Sequence, residues 1–207
     1  YEFVVSLIIA IVFSTMSVMT IPFVELYTNV VDDVNYIYPL YAILISIWAA
    51  LYSCRIPMTA VINAAGIYKE NRMANIVNLV LQVVIGIIGA LLGGIGGVLV
   101  VMILASLQRN IWFGYVNSKY LLHNGIKMSV IYQCAIMLLI SASGLLAEKI
   151  MAQIEFGILS WCVVSAAVFA AEVLICLTIF FIIDRNSTKL VLKRLKLHFS
   201  SKKNGCV

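Results

Sequence analysis

Charge is what this chain has least of. Only 11% of its 207 residues are Asp, Glu, Lys or Arg, against about a quarter in a soluble domain. Hydrophobic residues make up 63%. That balance excludes a water-soluble fold and indicates an integral membrane protein. The alternation of apolar and polar residues that a transmembrane β-barrel needs is also missing. The apolar runs are continuous and about 20 residues long, so they read as helices. Histidine occurs only at His123 and His198, and neither has ligating or acid-base neighbours. The apolar runs hold no Ser-His-Asp, Cys-His or paired-carboxylate arrangement, so an enzyme is not expected. Cys54, Cys134, Cys162 and Cys176 fall within apolar segments and Cys206 in the tail. They have no CxxC spacing, and Cys206 stands one residue from the end, so it makes no C-a-a-X prenylation box. The four in the apolar segments read as small hydrophobes. No metal and no cofactor is expected.

No basic n-region precedes the first apolar run, so no signal peptide is read there. The chain opens on Tyr1, with apolar sequence from Phe3, as a piece of a longer chain starting beside a helix would. Six spans follow, at 3–23, 38–65, 74–92, 95–115, 128–147 and 156–183. The third and fourth meet in a glycine-rich stretch, Gly86, Gly89, Gly93, Gly94, Gly96 and Gly97. A phosphate loop would need a following Lys-Ser or Lys-Thr, which is absent. Gly89 and Gly93 have the G-x-x-x-G spacing of close helix packing, and a tight turn is expected here.

The net charge is +5, but it does not point to nucleic acid, because Lys and Arg cluster at the membrane edges. Lys69 and Arg72 lie after the second span. Arg109, Lys119 and Lys127 lie about the end of the fourth. Arg185, Lys189, Lys193, Arg194, Lys196, Lys202 and Lys203 lie in the tail. Alternating spans put these regions on one side, and put Glu25, Asp32, Asp33, Glu148 and Glu155 on the other with Lys149. The positive-inside rule makes the basic side cytoplasmic, with both ends of the chain there. The division is a transmembrane unit at 1–184 and a basic cytoplasmic tail at 185–207. Within the tail, 188–199 has Val191, Leu192, Leu195 and Phe199 as a stripe at helical spacing, with basic residues opposite. It reads as an amphipathic helix on anionic lipid or as an unstructured basic tail.

Arg55 is the only charged residue in 38–65. It stands about 16 Å from the Gly66 end of its helix, near the middle of a bilayer about 30 Å thick. A charge at that depth costs about 3 kcal/mol by insertion scales. It therefore faces the bundle interior or a wet cavity, either recognising an anion with its fork of donors or serving as a structural salt bridge or carbonyl cap. Pro57 removes a backbone hydrogen bond and is a candidate helix kink. Glu172, midway along the sixth span, has three roles open: a protonated acid, a partner for Arg55, or a group coupling an ion gradient. Asn63, Asn75, Asn78 and Gln82 either bond helix to helix or line a polar cavity.

The string Arg55-Ile56-Pro57, then Ile62-Asn63-Ala64-Ala65-Gly66-Ile67-Tyr68-Lys69-Glu70-Asn71-Arg72, then Asn78, resembles the polysaccharide-transporter family of O-antigen and lipid-linked oligosaccharide flippases. That family belongs to the multidrug/oligosaccharidyl-lipid/polysaccharide exporter superfamily. Gly94-Ile95-Gly96-Gly97-Val98 and Arg109-Asn110-Ile111-Trp112 are also similar to its pattern. The likeness covers roughly 36–125. Val100-Val101 stand where the family often has Gly-Thr. The resemblance implies an all-α membrane protein of twelve helices in two six-helix lobes, this chain being the C-terminal lobe and a separate N-terminal lobe its partner. It implies that polyprenyl-diphosphate-linked oligosaccharides are flipped across the bacterial inner membrane for polysaccharide biosynthesis, lipopolysaccharide among them. Arg55, Asn63 and Asn78 are then the candidate substrate-binding residues, and Glu172 the candidate for ion coupling. Two other readings are a cation-coupled multidrug exporter of the same superfamily, which would favour acidic cavity residues, and a membrane-embedded acyltransferase, which would need a His or Asp near a span end.

Overall fold

The computed structural model describes residues 2–28, 38–122, 127–151, 157–185 and 188. Five α-helices run through them: α1 (Glu2–Thr28), α2 (Pro39–Ala64), α3 (Tyr68–Asn117), α4 (Lys127–Met151) and α5 (Ile158–Ile183). A short π-helical turn, Ser118–Leu122, follows α3. All five α-helices are long and apolar enough to cross a membrane. The chain is an all-α, multi-pass membrane protein. Asp32, Asp33, Glu155, both histidines, Cys206 and the tail helix expected over 188–199, apart from Thr188, lie outside the described residues.

Several helices outrun the limits expected from hydropathy. α1 continues through buried Pro22 to Thr28. A proline removes one backbone hydrogen bond, and hydroxyls of this helix turn back onto carbonyls four residues earlier, as Thr28 does on Val24 at 2.8 Å. Residues 24–28, expected in the acidic connection, are therefore helical. Between α2 and α3 the connection is one tight turn. Gly66 takes φ 73°, its N–H reaches Asn63 O at 3.1 Å, and the Ile67 N–H reaches Ile62 O at 3.1 Å. These are the two bonds of a Schellman motif, in which glycine accepts the left-handed position without strain. Ile67 also packs against the cluster containing Met58 and Ile62. Because the turn closes so early, α3 starts at Tyr68, and Lys69 and Arg72 ride on helix rather than in a loop.

The expected third and fourth spans form the single 50-residue element α3, broken at one non-helical residue, Gly94 (φ 56°, ψ −140°). The chain reverses there. Gly89 and Gly97 would be about 12 Å apart along a straight helix, yet they touch. A β-carbon on Gly89 would lie 2.9 Å from the Gly97 carbonyl oxygen and 2.9 Å from Val101 Cγ2. A β-carbon on Gly97 would overlap the Gly89 carbonyl. α3 is thus two arms, one before and one after Gly94, with backbones in contact near the turn.

α1 packs on α2, α4 and α5, and α3 packs chiefly on α2. The main core joins Phe3, Ile9 and Ala10 of α1 to Ile47, Ala50 and Leu51 of α2, Ile136 and Ile140 of α4, and Cys176 and Phe180 of α5. In lipid the helices gain from close fit rather than from escape from water, and small residues mark the closest approaches. Gly144 of α4 is one: a β-carbon there would lie 2.5 Å from Ser17 Oγ and 2.6 Å from Ile43 Cγ1. At one end the Tyr132 hydroxyl donates to Asp184 Oδ2 at 2.6 Å, and Tyr132 stacks on Phe180.

The Gly89–Gly97 contact makes a prediction. Gly97→Ala must push the arms apart at their backbones, a cost of about 1–3 kcal/mol for overpacking. Gly86→Ala meets no atom within 4 Å and should be neutral. Thermal unfolding in detergent should show a lowered midpoint for the first and none for the second. Equal midpoints would mean that the arms do not touch there.

Candidate functional site: a paired-arginine face on α2 and α3

The buried stripe of α2 is Leu51, Cys54, Met58 and Ile62. Arg55 sits beside this stripe, half-buried, with its guanidinium 3.7 Å from the ring centroid of Tyr52 one turn earlier. Tyr52 is 44% exposed and Ile56 58%, so the pair lies at the margin of the α2 face that the described helices leave open. A cation over an aromatic face is held by the ring quadrupole, and Tyr52 fixes the direction in which Arg55 points. The Arg55 carbonyl accepts the Thr59 hydroxyl at 3.0 Å. Pro57 is buried within an unbroken run of helix.

The second arm of α3 brings another arginine to this place. Asn110 is buried, and its Nδ2 donates to Leu51 O at 2.9 Å, tying that arm to the middle of α2. The preceding residue, Arg109, is close enough to Arg55 for that charge to act on it. Its Nη2 donates to Asn75 Oδ1 on the first arm, its guanidinium lies 5.3 Å from the Phe113 ring centroid, and its Nε is buried without an acceptor. The Asn110–Leu51 bond sets Arg109 beside the part of α2 that carries Arg55, which lies four residues, about 6 Å, beyond Leu51. Among the described residues, no carboxylate forms an ion pair with either.

Asn78, one turn from Asn75, is buried, and its Oδ1 has no hydrogen-bond donor. It shares the first arm of α3 with Asn75. Asn63 is set apart. It is exposed and accepts from Asn71 Nδ2 at 2.7 Å, bridging the Gly66 turn about 12 Å along α2 from Arg55. Glu172 lies elsewhere, between α4 and α5. It is 5% exposed and, with Ser143 beside it, lines an apolar cavity of about 310 Å³ with Val18, Leu146, Val168 and Ile175. Its polar neighbour in that cavity is Ser143 rather than Arg55. Among the described residues no three His, Cys, Asp or Glu side chains gather in a way that could hold a metal.

Sequence reasoning placed Arg109 at a membrane edge and did not join it to Arg55. The available signal was symmetry. Asn75 lies 18 residues before Gly93 and Arg109 15 after Gly94, so a helical hairpin turning there brings them to within about one turn of one another. The arrangement offers two cations, a stacking ring and amides. That chemistry suits an anion.

No protein-family model matches this chain. No curated protein matches it, and no solved structure does.

The separation of Arg55 from Glu172 is testable. Had the two formed an ion pair, removing both would restore stability lost on removing one. Their separate surroundings predict additivity. Unfolding free energies for Arg55→Ala, Glu172→Ala and the double variant should sum to within about 0.5 kcal/mol. Rescue by the double change would show that they pair.

Proposed function

We propose that the chain is the C-terminal six-helix lobe of a flippase that moves polyprenyl-diphosphate-linked oligosaccharides across the bacterial inner membrane. In this reading the arms of α3 are two spans, which gives six. The basic ends are cytoplasmic, and an N-terminal lobe faces the open side of α2. The observation that carries the reading is Arg55. It is a permanent cation at membrane depth on a face left partly open, stacked on Tyr52 and without a carboxylate partner among the described residues. Lipid cannot lie against such a group at acceptable cost. A wet cavity between two lobes, entered by an anionic headgroup, removes that cost. The planar fork of arginine matches phosphate oxygens two at a time. The likeness of 36–125 to the polysaccharide-transporter family supports the same reading. Asn78 then lines the cavity, and Asn63 acts on its turn.

Glu172 favours a second reading, a cation-coupled exporter of the same superfamily. It is a buried acid lining an apolar cavity, with Ser143 beside it. In the flippase reading the same group couples ion movement to flipping.

Arg55→Ala in the full-length protein should abolish surface polysaccharide in a flippase-deficient strain while membrane insertion persists. Arg55→Lys should restore part of it, keeping the charge and losing the fork. Normal export by a well-expressed Arg55→Ala protein would remove Arg55 from the mechanism. Glu172→Gln should leave abundance unchanged in the same assay. The exporter reading requires loss of drug efflux in that variant, with polysaccharide unaffected.

Orientation has its own test. In a cysteine-free background, a cysteine at Glu148 should react with an impermeant maleimide in intact spheroplasts, and one at Lys69 only after lysis. The reverse pattern would invert the topology.

A further inference from the structure

Two cavities meet inside the bundle, away from the arginines. The first, about 220 Å³, lies where α1, α2 and α4 converge and is lined by Glu25, Glu148 and Ser17. The second is the apolar cavity of Glu172, between α1, α4 and α5. Val18 and Ala147 line both, so one valine and one alanine stand between them. Glu148 is exposed and Glu25 half-buried, which brings the first cavity to the acidic end of the bundle. From that end, Glu148 is five residues, about 8 Å along α4, from Ser143 beside Glu172. The opposite approach is longer and filled. Asp184, where α5 ends, is twelve residues, about 18 Å, from Glu172. Between them Cys176 and Phe180 are at most 1% exposed, and Ile136 and Ile140 of α4 are fully buried. Phe3, Tyr132 and Phe180 close that end with one stacked and two edge-on ring contacts.

The chemistry around Glu172 suits a proton rather than a metal cation. Glu172 and Ser143 are the polar residues lining its cavity, too few oxygens to replace the shell of a dehydrated cation. The Ser143 hydroxyl donates to Leu139 O at 2.5 Å, so toward Glu172 it has only lone pairs to offer. A hydrogen bond between the two is therefore donated by a protonated Glu172. Among the described residues no other acid or base lines this cavity. Lys149 is exposed at the acidic end and lines neither cavity. Cys176 lies in the main core, and Glu2 and Asp184 stand at the opposite end. We infer that Glu172 exchanges its proton with the acidic end of the bundle, through the cavity of Glu25 and Glu148, across a partition made by Val18 and Ala147. The inference rests on the reading of Glu172 as the ion-coupling group. Glu25 and Glu148 are positioning residues, which collect protons at the mouth. Val18 and Ala147 are the gate: a small separation of α1 from α4 there joins the cavities, whereas the other end would have to unpack its core.

The test uses the full-length protein, reconstituted in one orientation in proteoliposomes, and the lipid-soluble reagent dicyclohexylcarbodiimide. The O–H of a protonated carboxylic acid adds across one C=N bond of the reagent, the oxygen going to carbon and the proton to nitrogen. The acyl group then migrates from oxygen to nitrogen, leaving a stable N-acylurea with no leaving group and no redox change. Mass spectrometry of the peptide carrying Glu172 counts its label apart from those on Glu25 and Glu148. Each bath is titrated in turn while the other is held. Labelling of Glu172 should fall as the bath at the acidic end is made alkaline, by about tenfold per pH unit once the acid is mostly ionised, and should ignore the other bath. Ala147→Leu thickens the partition and should abolish the response; Val18→Phe serves if that variant does not accumulate. A response to the other bath, to both or to neither overturns the route. A full response in the partition variant overturns the gate. The coupling role of Glu172 fails by a separate result, undiminished export in Glu172→Gln cells.

Discussion

Backbone contact between Gly89 and Gly97 is what the rest of this architecture depends on. With no side chain between them, the arms of α3 can lie against one another from the turn onward. That approach sets Asn75 opposite Arg109 and delivers Asn110 to the Leu51 carbonyl. Any side chain at Gly97 would enter the Gly89 carbonyl, and the hairpin would splay. In hydrocarbon a splayed hairpin has no hydrophobic force to draw it back, since lipid tails are as apolar as the helices. Shape and hydrogen bonding have to hold it.

The polar groups are graded by what they do for the bundle. Hydroxyls on α1, α2 and α4 mostly turn back onto carbonyls of their own helix, as Ser46 does on Ala42 and Ser141 on Met137. These satisfy themselves and ask nothing of a neighbour. A second set crosses between elements: Ser17 onto Ile140, Asn110 onto Leu51, Tyr132 onto Asp184. They fix how the helices sit. A third set keeps buried polar atoms that no described residue completes, among them Ser14 Oγ, Asn78 Oδ1, Gln108 Oε1 and Arg109 Nε. Arg109 is the charged member of that set.

The two candidate centres are separate in space and opposite in chemistry. The arginines belong to α2 and the second arm of α3, while Glu172 faces α4 and α1 across an apolar cavity. Main-core residues from α1, α2, α4 and α5 form one continuous cluster. A movement of α1 against α4 would be felt by both, since α1 packs on α2 as well as on α4 and α5.

The membrane class, the helical content and the positions of the apolar runs were legible in composition and run length alone, because about 20 continuous apolar residues have one stable form in lipid. Arg55 was legible for the same reason: its cost depends on depth, and depth follows from helix rise. The glycine cluster announced a turn. Helix ends were less legible, because hydropathy marks where a helix leaves the apolar layer and not where its hydrogen bonds stop. Hence α1 outran Pro22, and α3 began at the Schellman turn with Lys69 and Arg72 already aboard. The partners of the charges belonged to tertiary structure. Glu172 fits either an arginine or a serine by residue type, and only the packing of α4 and α5 on α1 set it beside Ser143. Arg109 read as an edge charge until the reversal at Gly94 folded its arm back along α2. Sequence spacing sets which residues share a helix face, but which faces meet depends on backbone contacts between residues far apart in the chain.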